Sequence, residues 1–440
     1  MSLKAIRGPI LHFTRDPGDD ARPHEGSVAY LEDGIILICN GHIDTIGSAE
    51  ELQAILPADI EVDHYPEKLI MPGLIDAHVH FVQLGIIASY GRQLLDWLNN
   101  YTFPEEVRFS EKAYAEQVAN LFIQQLLRHG TTTAMVFSSS HAHSVDALFS
   151  TALQRNMRLM TGKMLMDRNA PPALLDDAVT GIQESRELLE RWHHKGRLEY
   201  VLSPRFAPTS TPEQLSAAGQ FLKEYPGIAM QTHLSENLNE IEWVKALYPE
   251  ADDYLDVYAR AGLLQERCFF GHAIHINDSV RQRIKGAGAG ITVCPTSNLF
   301  LGSGLFNWKA AREQQIKIAL GSDIGAGTSL SQLQTLQDTY KVCQLQDVSL
   351  SPWQAFYQLT LGSAQSLGIS HLVGNFEKGK EADIVVFDPQ ATPLAATKRS
   401  LRSPTLDEQM FDLMMLGDDR SVIATYVMGE RQYAAASSSD

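Results

Sequence analysis

Eight apolar, strand-like runs recur along the chain with helix-period segments between them, and this alternation limits the fold more than any other feature. The runs cover residues 74–81, 132–137, 158–167, 198–206, 228–236, 268–276, 290–298 and 317–325. Between them, residues 144–156 and 331–346 place apolar side chains at the spacing of an amphipathic helix. Residues 209–226 add an N-cap, an early proline and a glutamate in the first turn. Strand followed by helix, eight times over, predicts an α/β fold, a TIM-type (β/α)8 barrel over residues 70–376. With 440 residues, 44% of them hydrophobic, the chain can fill that core and a smaller second one.

Residues 1–69 read as β structure, with Glu32-Asp33-Gly34 and Asn40-Gly41-His42 as turn signals. Residues 377–440 return to that texture, with a strand at 379–388 and a hairpin at 420–434 around Met428-Gly429. The two ends are expected to pair into one small β domain, and the last residues, "AAASSSD", to be disordered.

A formal net charge of −17 repels phosphate backbones and anionic lipid, so nucleic acid and membrane surfaces are not expected partners. The four cysteines, Cys39, Cys268, Cys294 and Cys343, form no CxxC pair, which favours a reducing compartment. The opening residues carry no signal-peptide core, and no apolar stretch is long enough to span a bilayer. A cytoplasmic location is the expectation.

Barrels of this type place their chemistry at the C-terminal ends of the strands. The first run ends in "HVH", and residues two apart on a strand face the same way, so His78 and His80 both point into the mouth. The fifth ends in "THLSE", giving His233 and Glu236. The sixth carries His272, with His275 facing away as a structural residue. The eighth ends in "GSD", giving Asp323. Histidines and an aspartate around one mouth make a nitrogen-and-oxygen metal site, which suits zinc. A carboxylate three residues beyond a ligand, as Glu236 is, suits proton handling. Arg205 and Phe206 close the fourth run, where an Arg can anchor a carbonyl and a ring can stack on a planar ligand. His141 and His143 read as a loop and helix start instead, and His193 and His194 as a helix C-terminus.

The order HxH, "THLSEN", a histidine after an apolar strand and "GSD" resembles the amidohydrolase superfamily across nearly the whole chain. More narrowly, the chain is similar to bacterial guanine deaminases in "MPGLIDAHVH" (71–80), "YGRQLLDWLNNYTFPEE" (90–106) and "LLRHGTTTAMVF" (126–137). The likeness continues in "MDRNAP" (166–171), "SPRFAPTS" (203–210), "CPTSNLFLGSGLF" (294–306) and "GSDIGAGTSLSQLQTL" (321–336). The resemblance implies a β-sandwich made from both chain ends, and a homodimer. It implies one zinc, with Fe2+ as the alternative, held by His78, His80, His233 and Asp323. It makes Glu236 the proton shuttle and puts His272 beside the reacting water. Gln83 would contact the purine edge, Arg205 the purine carbonyl, and Phe206 would lie beside it. Val82 precedes Gln83 where close relatives are expected to carry proline.

The implied reaction is hydrolysis of guanine, a small-molecule purine, to xanthine and ammonia. Zinc would bring the pKa of bound water to roughly 7, Asp323 would accept the water's proton or orient its remaining hydrogen, and hydroxide would attack C2. Glu236 protonates the adjacent ring nitrogen and then the leaving amino group. Residues 90–104 would cover the site. A related 2-amino heterocycle, a pterin or 8-oxoguanine, is the enzymatic alternative; an inactive binding protein on the same fold is another.

Overall fold

A computed structural model describes residues 2–54, 56, 57, 59–91 and 93–436, so the end of the expected disordered tail, residues 437–440, lies outside the described residues. The chain divides into two compact units, one of residues 76–123 and 134–329, the other of residues 1–75, 124–133 and 330–440.

The eight predicted barrel runs all contain strands. These are β1 (Leu74–His80), β2 (Thr131–Phe137), β3 (Arg158–Gly162), β4 (Leu198–Pro204), β5 (Ala229–Leu234), β6 (Cys268–His272), β7 (Gly290–Val293) and β8 (Lys317–Leu320). They lie side by side in chain order, as an eight-strand parallel barrel requires. Every residue of β1, β2 and β4 is buried, as expected of parallel strands covered on both faces. The ring closes beyond the end of β8, where the Asp323 amide donates to the His78 carbonyl (2.8 Å) and the His80 amide to the Ile324 carbonyl (2.8 Å). Gly321 permits this approach, because a Cβ there would sit 2.8 Å from the backbone N and O of His78.

Several strands end earlier than their apolar runs. The third run breaks at Lys163, and Met164–Leu165 resumes beside β4. The seventh stops at Val293 because Pro295 opens a helix, Pro295–Phe300, at its first turn. The sixth stops at His272 (φ 66°), which enters the left-handed region, and the eighth stops at Leu320, three residues before Asp323 does so (φ 49°). The segments read as helices form Ala142–Gln154, Pro212–Glu224 (capped by Thr211) and Gln332–Gln344.

The second unit contains a mixed sheet drawn from both chain ends, in the order 430–434, 422–427, 384–387, 69–72, 3–13, 28–39 and 42–48. Ile6, Ile10, Ile36, Ile70, Ile384, Val386 and Tyr426 form its main apolar cluster. The turns at Asn40-Gly41 and Met428-Gly429 fall where expected. Glu32-Asp33-Gly34 does not turn: strand Val28–Cys39 runs through it, with Gly34 opposite Gly8 and Asp33 paired to Arg7 at 2.7 Å. The C-terminal region is also not all β. Helices Pro393–Leu401 and Leu406–Leu416 form there, started by the Thr392-Pro393 cap and the Thr405/Glu408 capping box.

Lys163 is almost wholly buried, and its ammonium pairs with Asp176 and donates to the Ser140 carbonyl. Burial raises the Asp176 carboxyl to about 6 despite that partner. Lys163→Met leaves Asp176 buried without its counter-ion and is expected to cost about 3–5 kcal/mol, read from the urea midpoint at unchanged m-value.

Candidate active site

Strand ends bring six ionisable side chains together. The His78 and His80 rings lie 5.3 Å apart, and both lie near the His233 ring, at 4.9 and 5.3 Å. Phe137, closing β2, stacks on His80 at 4.6 Å. His80 Nε2 and His233 Nε2 face each other at 3.3 Å. The same His80 atom lies 3.3 Å from Asp323 Oδ1, and His78 Nε2 lies 3.4 Å from that oxygen. His272 Nε2 sits 3.5 Å from Glu236 Oε2 and 3.7 Å from Asp323 Oδ2. Ser235, His272 and Asp323 all adopt left-handed backbone (φ 48°, 66° and 49°), which costs roughly 1–2 kcal/mol per residue and persists where surrounding structure enforces it.

Burial sets the electrostatics. It lowers His80 to about 4 and, with the neighbouring histidines, pushes His233 well below its ordinary value. Both rings are therefore neutral at neutral pH. Burial opposes ionisation of Asp323, but His78 and His80 hold its carboxyl well below the usual range. Burial, reinforced by Asp323, raises Glu236 to about 8, so Glu236 can carry a proton at neutral pH.

Further hydrogen bonds orient these groups. His233 Nδ1–H donates to the Arg205 carbonyl (2.7 Å), turning Nε2 inward. His272 Nδ1–H donates to Asn298 Oδ1 (2.7 Å), which turns Nε2 toward Glu236 and Asp323. The Ser303 hydroxyl donates to Glu236 (3.0 Å), and His275 bonds the Ser303 carbonyl (2.7 Å), the structural role expected of it. Asp76 accepts from the Ser322 and His78 amides, tying β1 to the end of β8. Burial raises the Asp76 carboxyl to about 6.

The donor set fits a divalent metal. One ligand atom from each of His78, His233, His272 and Asp323 lies within 4.8 Å of the others. Buried Nε2 atoms of His78 and His272 have no hydrogen-bond partner, a costly state that a cation relieves. His141 and His143 stand apart, bonded to Ser139 and the Phe109 carbonyl, as their loop-and-helix reading requires.

The remaining predicted residues line the same pocket, of ≈ 390 Å³. Gln83, Arg205 and Phe206 form one wall, and Leu94, Trp97, Leu98, Leu301 and Ala326 add apolar surface. Gln83 Oε1 accepts from the Gly325 amide (3.0 Å). The segment foreseen as a cover forms a helical turn (Leu94–Trp97), a π-turn (Leu98–Thr102) and a further turn (Phe103–Val107). Asp76, Glu106, Asn298 and Ser303 are additions that the sequence reading lacked. The "DAHVH", "FPEE" and "PTSN…S" stretches were in view as motifs, but spacing alone does not say what each contacts.

The amidohydrolase family model matches residues 69–431, and the chain belongs to that family. Its relatives narrow the class. Guanine deaminase of Escherichia coli (strain K12) is 48% identical over 98% of each chain, and an E. coli guanine deaminase structure superposes with a TM-score of 0.95. The guanine deaminase structure from Bradyrhizobium japonicum is 35% identical, with a TM-score of 0.95 over 99% of this chain and 100% of that one. One from C. acetobutylicum, with guanine bound in the active site, is 28% identical, with a TM-score of 0.88 over 98% of this chain and 100% of that one.

Gly271 leaves room for the His78 ring: a Cβ there would lie 2.6 Å from Cε1. Gly271→Ala is expected to displace that ring and lower bound divalent metal by about tenfold or more while circular dichroism stays native. Full metal occupancy would show that the ring can move aside.

Proposed function

We propose that this protein hydrolyses guanine to xanthine and ammonia. Near full-length likeness to guanine deaminases carries the reading, and a pocket that brings Gln83 and Arg205 to the same cavity as Glu236 supports it. His78, His80, His233 and Asp323 would hold the metal, zinc by its donor chemistry or Fe2+ in its place; His272 lies close enough to serve as well. Bound there, the metal supplies Lewis acidity that makes water nucleophilic at neutral pH.

The chain's own residues do the rest. Arg205 donates to the purine O6, Gln83 meets the purine edge and Phe206 walls the ring plane. Asp323 takes the first proton from the attacking water, and the His272 lone pair orients that water. Glu236 would deliver its proton to the ring nitrogen beside C2, take up the proton left on the attacking oxygen and pass it to the departing amino group; the proton held by Asp323 then returns Glu236 to its starting state. Leu94, Trp97 and Leu98 exclude bulk water, which strengthens each polar contact inside.

A second reading, a larger 2-amino heterocycle such as a pterin, draws on an adjoining cavity of ≈ 440 Å³ that shares Leu98 and Phe206 with the pocket. Residues 1–69 and 377–440 are proposed to form the β-sandwich domain around a 70–376 barrel, in a cytoplasmic homodimer. No helix among the described residues is long and apolar enough to cross a membrane.

Ultraviolet assay of guanine conversion, with and without a chelator, tests the activity; negligible guanine turnover beside good pterin turnover would transfer the reading. Glu236→Gln should retain metal yet lose at least about a hundredfold in kcat. A near-normal kcat would remove its shuttle role. His141→Ala with His143→Ala should leave metal content unchanged.

A further inference from the structure

Glu106 sits wholly buried on the turn Phe103–Val107, two residues beyond the segment read as a cover, and holds both side chains proposed to recognise the base. Arg205 Nη1 donates to both Glu106 oxygens, at 2.9 and 2.7 Å, and Gln83 Nε2 donates to Oε1 at 3.1 Å. The Arg205 guanidinium also lies over the Phe103 ring at 5.3 Å, so the same short turn supplies its counter-ion and its platform. Both donors are thus aimed by a carboxylate that does not line the pocket. Gln83 is clamped at both ends of its amide, by Glu106 and by the Gly325 amide, and has no freedom to flip.

Charge makes this more than a brace. An unpaired guanidinium buried in the pocket wall would attract anions strongly, because low-dielectric surroundings screen it little. Guanine is neutral at neutral pH. Its hydrolysis product is a stronger acid, and purines oxidised further are anions. We infer that Glu106 is a positioning residue acting through Arg205 and Gln83: it neutralises the recognition wall, so the pocket takes a neutral lactam and disfavours purine anions, the ionised product included. This rests on the guanine reading for the placement of O6 against Arg205. It assigns the turn Phe103–Val107, which continues the segment read as a cover, a part in recognition.

The test compares two non-hydrolysable purines on the metal-loaded enzyme at neutral pH: hypoxanthine, which is neutral, and urate, which is anionic. Wild type should bind hypoxanthine more tightly. Glu106→Gln keeps the shape and removes the charge; it should raise KM for guanine and shift the urate-to-hypoxanthine affinity ratio toward urate by about tenfold or more. A residue that only braces the fold would weaken both ligands together, and an unchanged ratio in a folded variant overturns the proposal. Glu106→Asp keeps the charge but shortens the reach, so KM should rise without the shift toward urate. If Glu106→Gln does not fold, the wild-type ratio decides: tighter urate than hypoxanthine refutes the inference, and tighter hypoxanthine supports it. Calorimetric binding reads these ratios even where guanine is not turned over, so failure of the guanine reading is seen separately.

Discussion

The closure of β8 onto β1 is the interaction on which the site depends. Two backbone hydrogen bonds, from Asp323 to His78 and from His80 to Ile324, join residues almost 250 positions apart. They place Asp323 beside both histidines of the first strand, so the seam that closes the barrel also assembles the residues proposed to hold the metal. Asp76 reinforces it by accepting from amides on both sides. The left-handed turn at Asp323 follows from this arrangement, because the chain must leave the barrel wall to aim the carboxylate inward. Strain at that position is tolerated since the seam and the His–Asp contacts hold it from two directions.

What the sequence disclosed about this site followed from periodicity. Period-two alternation put His78 and His80 on one face, and the strand-end rule put His233, His272 and Asp323 beside them. These inferences need only local geometry and a known barrel polarity. Glu106 could not be found this way, because its partner Arg205 lies 99 residues away and only the folded cover brings them together. Asn298 and Ser303 escaped for a related reason: the run 290–298 read as strand throughout, whereas Pro295 turns it into a helix that carries Asn298 to His272, and Ser303, in the loop beyond Phe300, reaches Glu236. The misread Glu32-Asp33-Gly34 shows the opposite failure. A strong local turn signal gave way to a long antiparallel pairing in which Gly34 faces Gly8.

The pocket separates its charges. At the strand ends, the neutral His80 and His233 rings and two carboxyls of very different proton affinity stand together, Asp323 ionised and Glu236 able to hold a proton. Two carboxyls so close cannot both ionise cheaply, and their unequal environments divide the work of accepting and delivering protons. Across the cavity, Arg205 and Glu106 cancel, leaving directed donors with no net charge. Charge then develops at one end of the substrate only, the end being hydrolysed. Leu94, Trp97 and Leu98 add apolar lining, against which an unpaired ion would be costly. That cost accounts for a carboxylate among the apolar side chains of residues 94–107: with apolar neighbours alone, the buried Arg205 guanidinium, proposed to read the base, would stand without a partner.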